Sequence, residues 1–176
     1  IRAFLESVPG PWVLKPRTQA GAVGIRRIDR AEDLWPLLEN LGDRQSDHLL
    51  EAFLPGAVFH VDSVVVAGRV LWSVACAYGT PPLETSQAGR VFRTRILPRG
   101  DALAQRLRAL NARTLEALGL ENGVSHSEYI QDADGALHFL ETSARVGGAH
   151  IAEMIEAGTG ANLWREWARL EAAPTY

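Results

Sequence analysis

The chain contains very little cysteine and has no excess of basic residues. Its one cysteine, Cys76, cannot form a disulfide within the chain, which suits a reducing compartment. Eighteen basic and 21 acidic residues give a formal net charge of −3, so the basic surface of a nucleic-acid-binding protein is not expected. No apolar run approaches the ~20 residues that a membrane helix needs. The sequence therefore predicts a cytoplasmic globular protein with neither nucleic acid nor a membrane as partner.

Lysine is almost absent, which draws attention to the one lysine present. Seventeen of the 18 basic residues are arginine, and Lys15 is the exception. Its compact ammonium does what a planar guanidinium does not, although an ordinary surface lysine is the alternative. The chain starts at Ile1 without a methionine, and we expect it to be part of a longer protein. Its 176 residues are enough to bury a core without a disulfide or a metal.

The apolar pattern predicts an α+β fold with an antiparallel sheet. Strands are expected at residues 12–15, 25–28, 48–54, 57–66, 70–78, 92–97, 124–130 and 136–142. Helices are expected at 31–41, 101–118, 149–157 and 163–170, with Asp101 and Asn162 as N-caps. Segment 79–90 is rich in Gly, Pro, Thr and Ser and is predicted to be a loop.

The first candidate site begins at Lys15, where the first predicted strand ends. The loop that follows contains Thr18, Gly21 and Gly24, and its flexible backbone can turn N–H groups toward phosphate oxygens. The lysine precedes the glycines, so the segment is neither a Walker loop nor a dinucleotide fingerprint. An ordinary surface turn remains the alternative interpretation.

The second candidate site is a pair of glutamates on the hairpin around residues 132–135. If Gln131 lies opposite Ala136, Glu128 lies opposite Phe139 and is diagonal to Glu141. Diagonal neighbours are ~7–8 Å apart, a distance that two carboxylates can close around divalent cations. His126 and Ser143 continue the same face. The alternatives are a solvated sheet surface or a register shift that separates the two carboxylates.

The third candidate site is the turn after the second glutamate. Arg145 precedes the pair Gly147-Gly148 and a predicted helix, so a helix N-terminus and a guanidinium could bind an anion there. A salt bridge within the loop is the alternative. The five histidines lack the spacing of zinc ligands, and Cys76 is expected to pack in an apolar strand.

Together, these motifs resemble the ATP-grasp superfamily. The order along the chain carries the resemblance: Lys15-Pro16 and a glycine-bearing loop, then Glu51-Ala-Phe-Leu-Pro-Gly56, then His126-Ser-Glu128 and Glu141-Thr-Ser-Ala-Arg145-Val-Gly-Gly148. The segment Pro55 to Asp62 and the Arg-Val-Gly-Gly turn are most similar to the branch of amino-acid and dipeptide ligases. The similarity covers residues 12–167.

The resemblance implies antiparallel sheets with flanking helices in two subdomains that sandwich a nucleotide. Residues 1–55 would be the lid subdomain and residues 56–176 the C-terminal subdomain. The implied activity is ATP-dependent amide-bond formation between a small carboxylic acid and an amine, with an acyl-phosphate intermediate. An N-terminal domain that contributes to the substrate site would be missing from this piece. The piece alone is expected to be inactive, and exposed sheet faces favour its self-association as a homo-oligomer.

The resemblance also implies roles for individual residues. Lys15 and Arg145 would be catalytic, and the metal ligands would be Glu128, Glu141 and Ser143. The cofactors would be ATP and Mg²⁺, with Mn²⁺ as an alternative ion. The residues implied in nucleotide binding are Lys15, Thr18, Gly21, Gly24, Glu51, Ala52, Phe53 and Leu54.

Two positions depart from the family pattern and keep other functions open. Ser143 stands where the family often has a metal-binding asparagine, and a ribose-binding glutamate is replaced near Val58. The alternatives are a biotin-carboxylase-like enzyme that activates bicarbonate and a domain that binds nucleotide without turnover.

Overall fold

The chain folds into two compact units. The computed structural model describes residues 1–19 and 21–172. The first unit contains Ile1–Pro55 and Pro82–Val91, and the second contains Gly56–Pro81 and the residues from Phe92 onward. In both units helices accompany antiparallel strands, which confirms the predicted α+β class. Within the described ranges, none of the helices has the length and apolar character needed to cross a membrane.

The first unit is built on a three-stranded antiparallel sheet, in which β1 (Trp12–Pro16) lies between β2 (Arg26–Ile28) and β3 (His48–Ala52). Trp12 and Leu14 of the central strand face a core that also contains Leu34 and Leu38. Since successive side chains of a strand point to opposite faces, Lys15 lies on the face away from this core. The elements are α1 Arg2–Ser7, β1 Trp12–Pro16, β2 Arg26–Ile28, α2 Leu34–Leu41, β3 His48–Ala52 and α3 Pro82–Gln87.

The second unit is built on a five-stranded antiparallel sheet. Its strands lie in the order β6 (Thr94–Ile96), β5 (Arg69–Tyr78), β4 (Ala57–Val66), β7 (Gly123–Gln131) and β8 (Leu137–Ser143). The long central strands β4 and β7 pair along nine positions, from Ala57 opposite Gln131 to Val65 opposite Gly123. The elements are β4 Ala57–Val66, β5 Arg69–Tyr78, β6 Thr94–Ile96, α4 Ala102–Ala117, β7 Gly123–Gln131, β8 Leu137–Ser143, α5 Ile151–Thr159 and α6 Leu163–Ala172.

The two faces of the five-stranded sheet have different surroundings. On one face, Phe59, Val61 and Tyr129 form a core with Leu107 of α4. On the other, Val64 and Val124 pack with Ile155 of α5. Residues of β4 and β7 alternate between these faces, so the even-numbered positions 60, 62, 126 and 128 share the face that α5 covers in part.

Most of the predicted elements are confirmed with small shifts at their ends. β4 has the predicted bounds. The carboxylate of Asp101 caps α4 by accepting hydrogen bonds from the N–H groups of Leu103 and Ala104 at 2.8 and 3.1 Å. Asn162 likewise accepts from the N–H of Arg165 at 2.8 Å. Both caps could be predicted from the sequence, because a short polar side chain just before an apolar helical stripe accepts hydrogen bonds from N–H groups that are otherwise unpaired.

Two expectations were wrong in part, and one helix was not predicted. The predicted loop 79–90 contains α3, whose first residue is Pro82; proline suits the first helical position because its fixed φ is already helical. The predicted strand 92–97 is reduced to Thr94–Ile96, which pairs with only three residues at the end of β5. The short helix α1 was not predicted.

Candidate functional site

Lys15 is a buried residue of the first unit and forms an ion pair. Its side chain is 8% exposed, and its Nζ lies 2.8 Å from Oε2 of Glu51. The register of β1 and β3 places Lys15 opposite Leu49 and Val13 opposite Glu51, so the two charged side chains are diagonal neighbours on one face. The structure therefore brings together two predicted nucleotide-binding residues.

The other residues predicted to bind nucleotide lie in two segments of the same unit. Thr18, Gly21 and Gly24 belong to the exposed connection between β1 and β2. Gly21 and Gly24 adopt φ values of 69° and 74°, the left-handed region that favours glycine. The second segment consists of Glu51 and Ala52 at the end of β3, followed by Phe53 and Leu54.

The backbone beyond β3 is anchored at Phe53. Its N–H donates a 2.8 Å hydrogen bond to the carbonyl oxygen of Pro11, and the Arg27 guanidinium lies 4.4 Å from the centre of its ring. Cation–π contact and the backbone hydrogen bond both fix this segment within its unit.

The two predicted metal carboxylates lie in the second unit and are closer than expected. Glu128 is directly opposite Glu141, and His126 is directly opposite Ser143. The predicted register, with Glu128 opposite Phe139, is wrong. The turn includes Ala136, so Gln131 pairs with Leu137, and a bulge near Leu140 shifts the register by one more residue. Directly opposed residues have Cβ atoms ~4.5–5.5 Å apart, so the pair can share a cation more easily than diagonal neighbours can.

The bulge also separates Glu141 from Phe139, which were expected to share a face. Phe139 pairs with Tyr129 and makes an edge contact with its ring, with the ring centres 6.0 Å apart. Tyr129 belongs to the core beneath α4, whereas Glu128 is its neighbour on the opposite face. Glu141 therefore shares the face of Glu128 and not that of Phe139.

Glu128 is held by two polar neighbours. The hydroxyl of Tyr78 donates to its Oε1 at 2.7 Å, and Nε2 of His126 lies 3.5 Å from the same oxygen. Burial alone would raise the pKa of Glu128, but the hydrogen bonds from His126 and Tyr78 outweigh it and hold the pKa below its ordinary value. Glu128 is therefore ionised near neutral pH, as a metal ligand must be.

Behind Glu128, Asp62 lies between two histidines. Its side chain is fully buried, its Oδ1 is 2.9 Å from Nδ1 of His126, and its Oδ2 is 2.6 Å from Nδ1 of His60. Nε2 of His60 contacts Oγ1 of Thr94 at 2.8 Å. Burial opposes the charge of Asp62, but the charge of His60 and the hydrogen bonds from both histidines lower its pKa to about 2.

His126 connects this buried carboxylate to Glu128, one of the two predicted metal ligands. Burial favours its neutral form, yet hydrogen bonds with Asp62 and Glu128 raise its pKa to about 9. An imidazolium with Nδ1 donating to Asp62 and Nε2 facing Glu128 satisfies both carboxylates. We name the connected side chains Thr94, His60, Asp62, His126, Glu128 and Tyr78 the polar chain.

The turn after β8 lies against the polar chain at Gly147. A Cβ built on Gly147 would lie 3.0 Å from Oδ1 of Asp62 and 3.0 Å from Nδ1 of His126. Arg145 is half-buried and donates from Nη1 to the carbonyl oxygen of Val146 at 2.9 Å. Helix α5 begins at Ile151, two residues later than predicted.

A second group of potential metal ligands is present but poorly suited to a metal. Atoms of His60, Asp62 and Cys76 lie within 4.8 Å of one another. All three residues are buried, and burial raises the pKa of the Cys76 thiol far above its ordinary value. Both ring nitrogens of His60 already contact Asp62 and Thr94, so the imidazole has no lone pair directed at a cation.

The sequence interpretation did not assign a site role to Tyr78, Asp62 or Thr94. One signal was available for Asp62: polar residues at positions 60 and 62 interrupt an otherwise apolar strand at a spacing that puts them on one face. No comparable signal marks Tyr78, because its contact with Glu128 spans 50 residues of sequence.

Comparison with known proteins adds to this geometry. No family model matches the chain. The crystal structure of L-amino acid ligase from Bacillus licheniformis, an ATP-grasp ligase, superposes with a TM-score of 0.68 at 23% identity. The superposition covers 97% of this chain and 41% of that chain. The chain has the ATP-grasp fold. The predicted fold is thereby confirmed.

Two relatives by sequence are ligases. Carnosine synthase 1 of Gallus gallus is 30% identical over 171 residues, which is 89% of this chain and 18% of that protein. D-alanine–D-alanine ligase of Pseudomonas putida (strain GB-1) is 26% identical over 142 residues, which is 78% of this chain and 43% of that protein. The chain thus spans less than half the length of either relative.

Proposed function

We propose that the protein is an ATP-grasp ligase that joins a carboxylate to an amine at the expense of ATP. The observation that carries the proposal is the directly opposed pair of Glu128 and Glu141 on the ATP-grasp fold. The two relatives, a carnosine synthase and a D-alanine–D-alanine ligase, support amide-bond formation between amino acids or similar small acids. The relatives are longer than this chain, so the proposal concerns the full-length protein.

The donor set of the second unit fits a hard divalent cation. Mg²⁺ prefers carboxylate oxygens combined with substrate phosphates and water, and the opposed carboxylates offer such oxygens from two strands. In our proposal Glu128 and Glu141 hold Mg²⁺, or Mn²⁺ in its place, and Ser143 adds a hydroxyl oxygen. The ion would supply charge neutralisation for the β- and γ-phosphate oxygens of ATP.

The remaining site residues position the reactants. Lys15 binds the α- and β-phosphates of ATP with its buried ammonium, which Glu51 keeps in place. The loop with Thr18, Gly21 and Gly24 covers the phosphates and excludes water. The segment from Glu51 to Leu54 contacts adenine, and Arg145 binds the acyl phosphate or the substrate carboxylate.

The proposed chemistry has two steps. An oxygen of the substrate carboxylate attacks the γ-phosphorus, the bond to the β–γ bridging oxygen breaks, and ADP leaves. The amine nitrogen then attacks the acyl carbon and loses a proton, and phosphate departs with one oxygen of the former carboxylate. Charged groups held in place supply most of the acceleration, since phosphoryl transfer needs little covalent help from the protein.

The proposal is tested by ADP release from ATP by the full-length protein with amino acids supplied as acid and amine. We expect release to depend on both substrates and to fall by orders of magnitude in Glu141→Ala. Glu116→Ala, which removes an exposed carboxylate from α4, is the matched control and should keep full activity. Release that depends on bicarbonate would favour a biotin-carboxylase-like enzyme. Nucleotide binding without release would favour a regulatory domain. Either result would overturn the proposal.

A further inference from the structure

The carboxylate of Glu128 is held asymmetrically. Among the described residues, its polar contacts, from the hydroxyl of Tyr78 and Nε2 of His126, both fall on Oε1. Its side chain is 12% exposed. The short hydrogen bond from Tyr78 and the ion-pair contact of His126 meet on one oxygen, so they restrain the rotation of the carboxylate and direct its second oxygen, Oε2, away from them.

The two donors are themselves fixed. Nδ1 of His126 is bound at 2.9 Å by Asp62, a fully buried carboxylate, and this contact sets the ring so that Nε2 faces Glu128. The ring of His60 lies 5.0 Å from that of Tyr78 and 5.0 Å from that of His126. The polar chain therefore leaves little freedom to either side chain that touches Glu128.

Stability alone does not account for this arrangement. A buried set of charged groups costs desolvation free energy, and replacing such a set with apolar residues is often neutral or stabilising. The neighbouring interior of the same face avoids this desolvation free energy, because it is filled with the apolar side chains of Val64, Val74 and Val124. A polar chain that ends on a metal carboxylate resembles the outer contacts that orient metal ligands in other proteins.

We infer that Tyr78 and His126 are positioning residues. Their contacts with Oε1 of Glu128 orient the carboxylate so that Oε2 faces the divalent cation. The inference rests on the proposed function and names two residues that act on the metal site without contacting the cation or the substrate. Asp62 supports them by orienting His126. Loss of outer contacts of this kind typically reduces metal affinity ~10–100-fold.

The chain offers a matched pair of variants. Tyr78→Phe removes the hydroxyl that touches Glu128. Tyr129→Phe makes the same chemical change on the opposite face of the sheet, where the hydroxyl donates to Oδ1 of Asn111 at 3.0 Å. Both tyrosines are in strands of the second unit, so a general effect of losing a hydroxyl should appear in both variants.

His126 is tested by two substitutions that separate its two contacts. In His126→Asn the amide nitrogen can replace Nδ1 and keep the bond to Asp62, but nothing reaches Glu128. In His126→Gln the longer amide can replace Nε2 and keep the contact with Glu128. We expect His126→Gln to retain more metal affinity than His126→Asn.

The readout is the affinity for a non-hydrolysable ATP analogue, measured by calorimetry with and without Mg²⁺, together with Mn²⁺ binding followed by electron paramagnetic resonance. In Tyr78→Phe we expect ~10–100-fold weaker binding of the metal and unchanged binding of the metal-free analogue. Tyr129→Phe should bind the metal like the wild type.

The outcomes separate the inference from the proposed function. All variants are made in the full-length protein. If its wild type shows no Mg²⁺-dependent binding of the analogue, the proposed function fails. If the wild type shows it and Glu141→Ala loses it, while Tyr78→Phe and Tyr129→Phe both match the wild type, the inference alone is overturned. If His126→Asn does not fold, Tyr78→Phe still decides, because it removes a single oxygen atom.

Discussion

Replacing Gly147 with alanine should damage the polar chain by steric pressure. The new methyl would lie 3.0 Å from each of three atoms, Oδ1 of Asp62, Nδ1 of His126 and Cγ2 of Ile151. Ordinary van der Waals separations begin near 3.5 Å, so these atoms must move apart. The first two are joined by a hydrogen bond, and Ile151 is a buried residue of the α5 core, so none is the free end of a flexible side chain.

The magnitude of this effect follows from two opposing contributions. Forcing a methyl into a well-packed interior costs ~1–3 kcal/mol. The lower chain entropy of alanine in the unfolded state recovers ~0.4–1 kcal/mol. We therefore expect a net loss of ~0–2.5 kcal/mol in the free energy of unfolding relative to the wild type, and of ~1–3 kcal/mol relative to Gly148→Ala, which has the same entropic gain without the close contacts. Mg²⁺-dependent binding of nucleotide should also weaken.

The assay is urea unfolding of the chain, followed by circular dichroism. Gly148→Ala is the matched control, because a Cβ at that position meets nothing within 4 Å and the residue is not in the left-handed region. It should be as stable as the wild type or slightly more stable. If Gly147→Ala were as stable as Gly148→Ala, the close approach of this turn to Asp62 and His126 would be refuted.

Two further predictions concern charge. The pKa of His126 is raised from 6.5 to about 9, so its contribution to stability is complete below pH 6.5 and is lost as the pH rises through 9. Urea unfolding in EDTA should therefore show that the free energy of unfolding falls by at most ~3 kcal/mol between pH 6.5 and about 9. In His126→Gln the free energy of unfolding should depend less on pH. Lys15→Arg should weaken nucleotide binding, measured by calorimetry, because the broader guanidinium does not fit beside Glu51 as the buried ammonium does. An unchanged dissociation constant would leave Lys15 with a structural role alone.

Local patterns predicted the parts of this fold that depend on neighbours in sequence. Alternating apolar residues located β4, and Asp101 marked the start of α4, because each signal arises within a few residues. The hairpin register was missed for two reasons: the turn includes Ala136, and a bulge near Leu140 adds one more residue. The bulge depends on the packing of both strands, and no residue type at that position predicts it.

In the candidate site, too, only the residues that are near one another in sequence were predicted. Glu128 and Glu141 were identified because each is a polar residue on a strand and the two are near in sequence. Tyr78 was missed because strand order, with β4 between β5 and β7, is what brings it to Glu128. A long-range contact of this kind leaves no local trace in the sequence.

The transfer of an oxygen atom tests the central claim most directly. In the proposed reaction the phosphate released from ATP carries one oxygen from the substrate carboxylate. The full-length protein would be given ATP, Mg²⁺ and amino acids labelled with ¹⁸O in their carboxylates, and the phosphate would be analysed by mass spectrometry. We predict that each phosphate released carries one ¹⁸O atom. Phosphate that carries only unlabelled oxygen would show that the carboxylate of the amino acid does not attack ATP, and would contradict the proposed ligase activity.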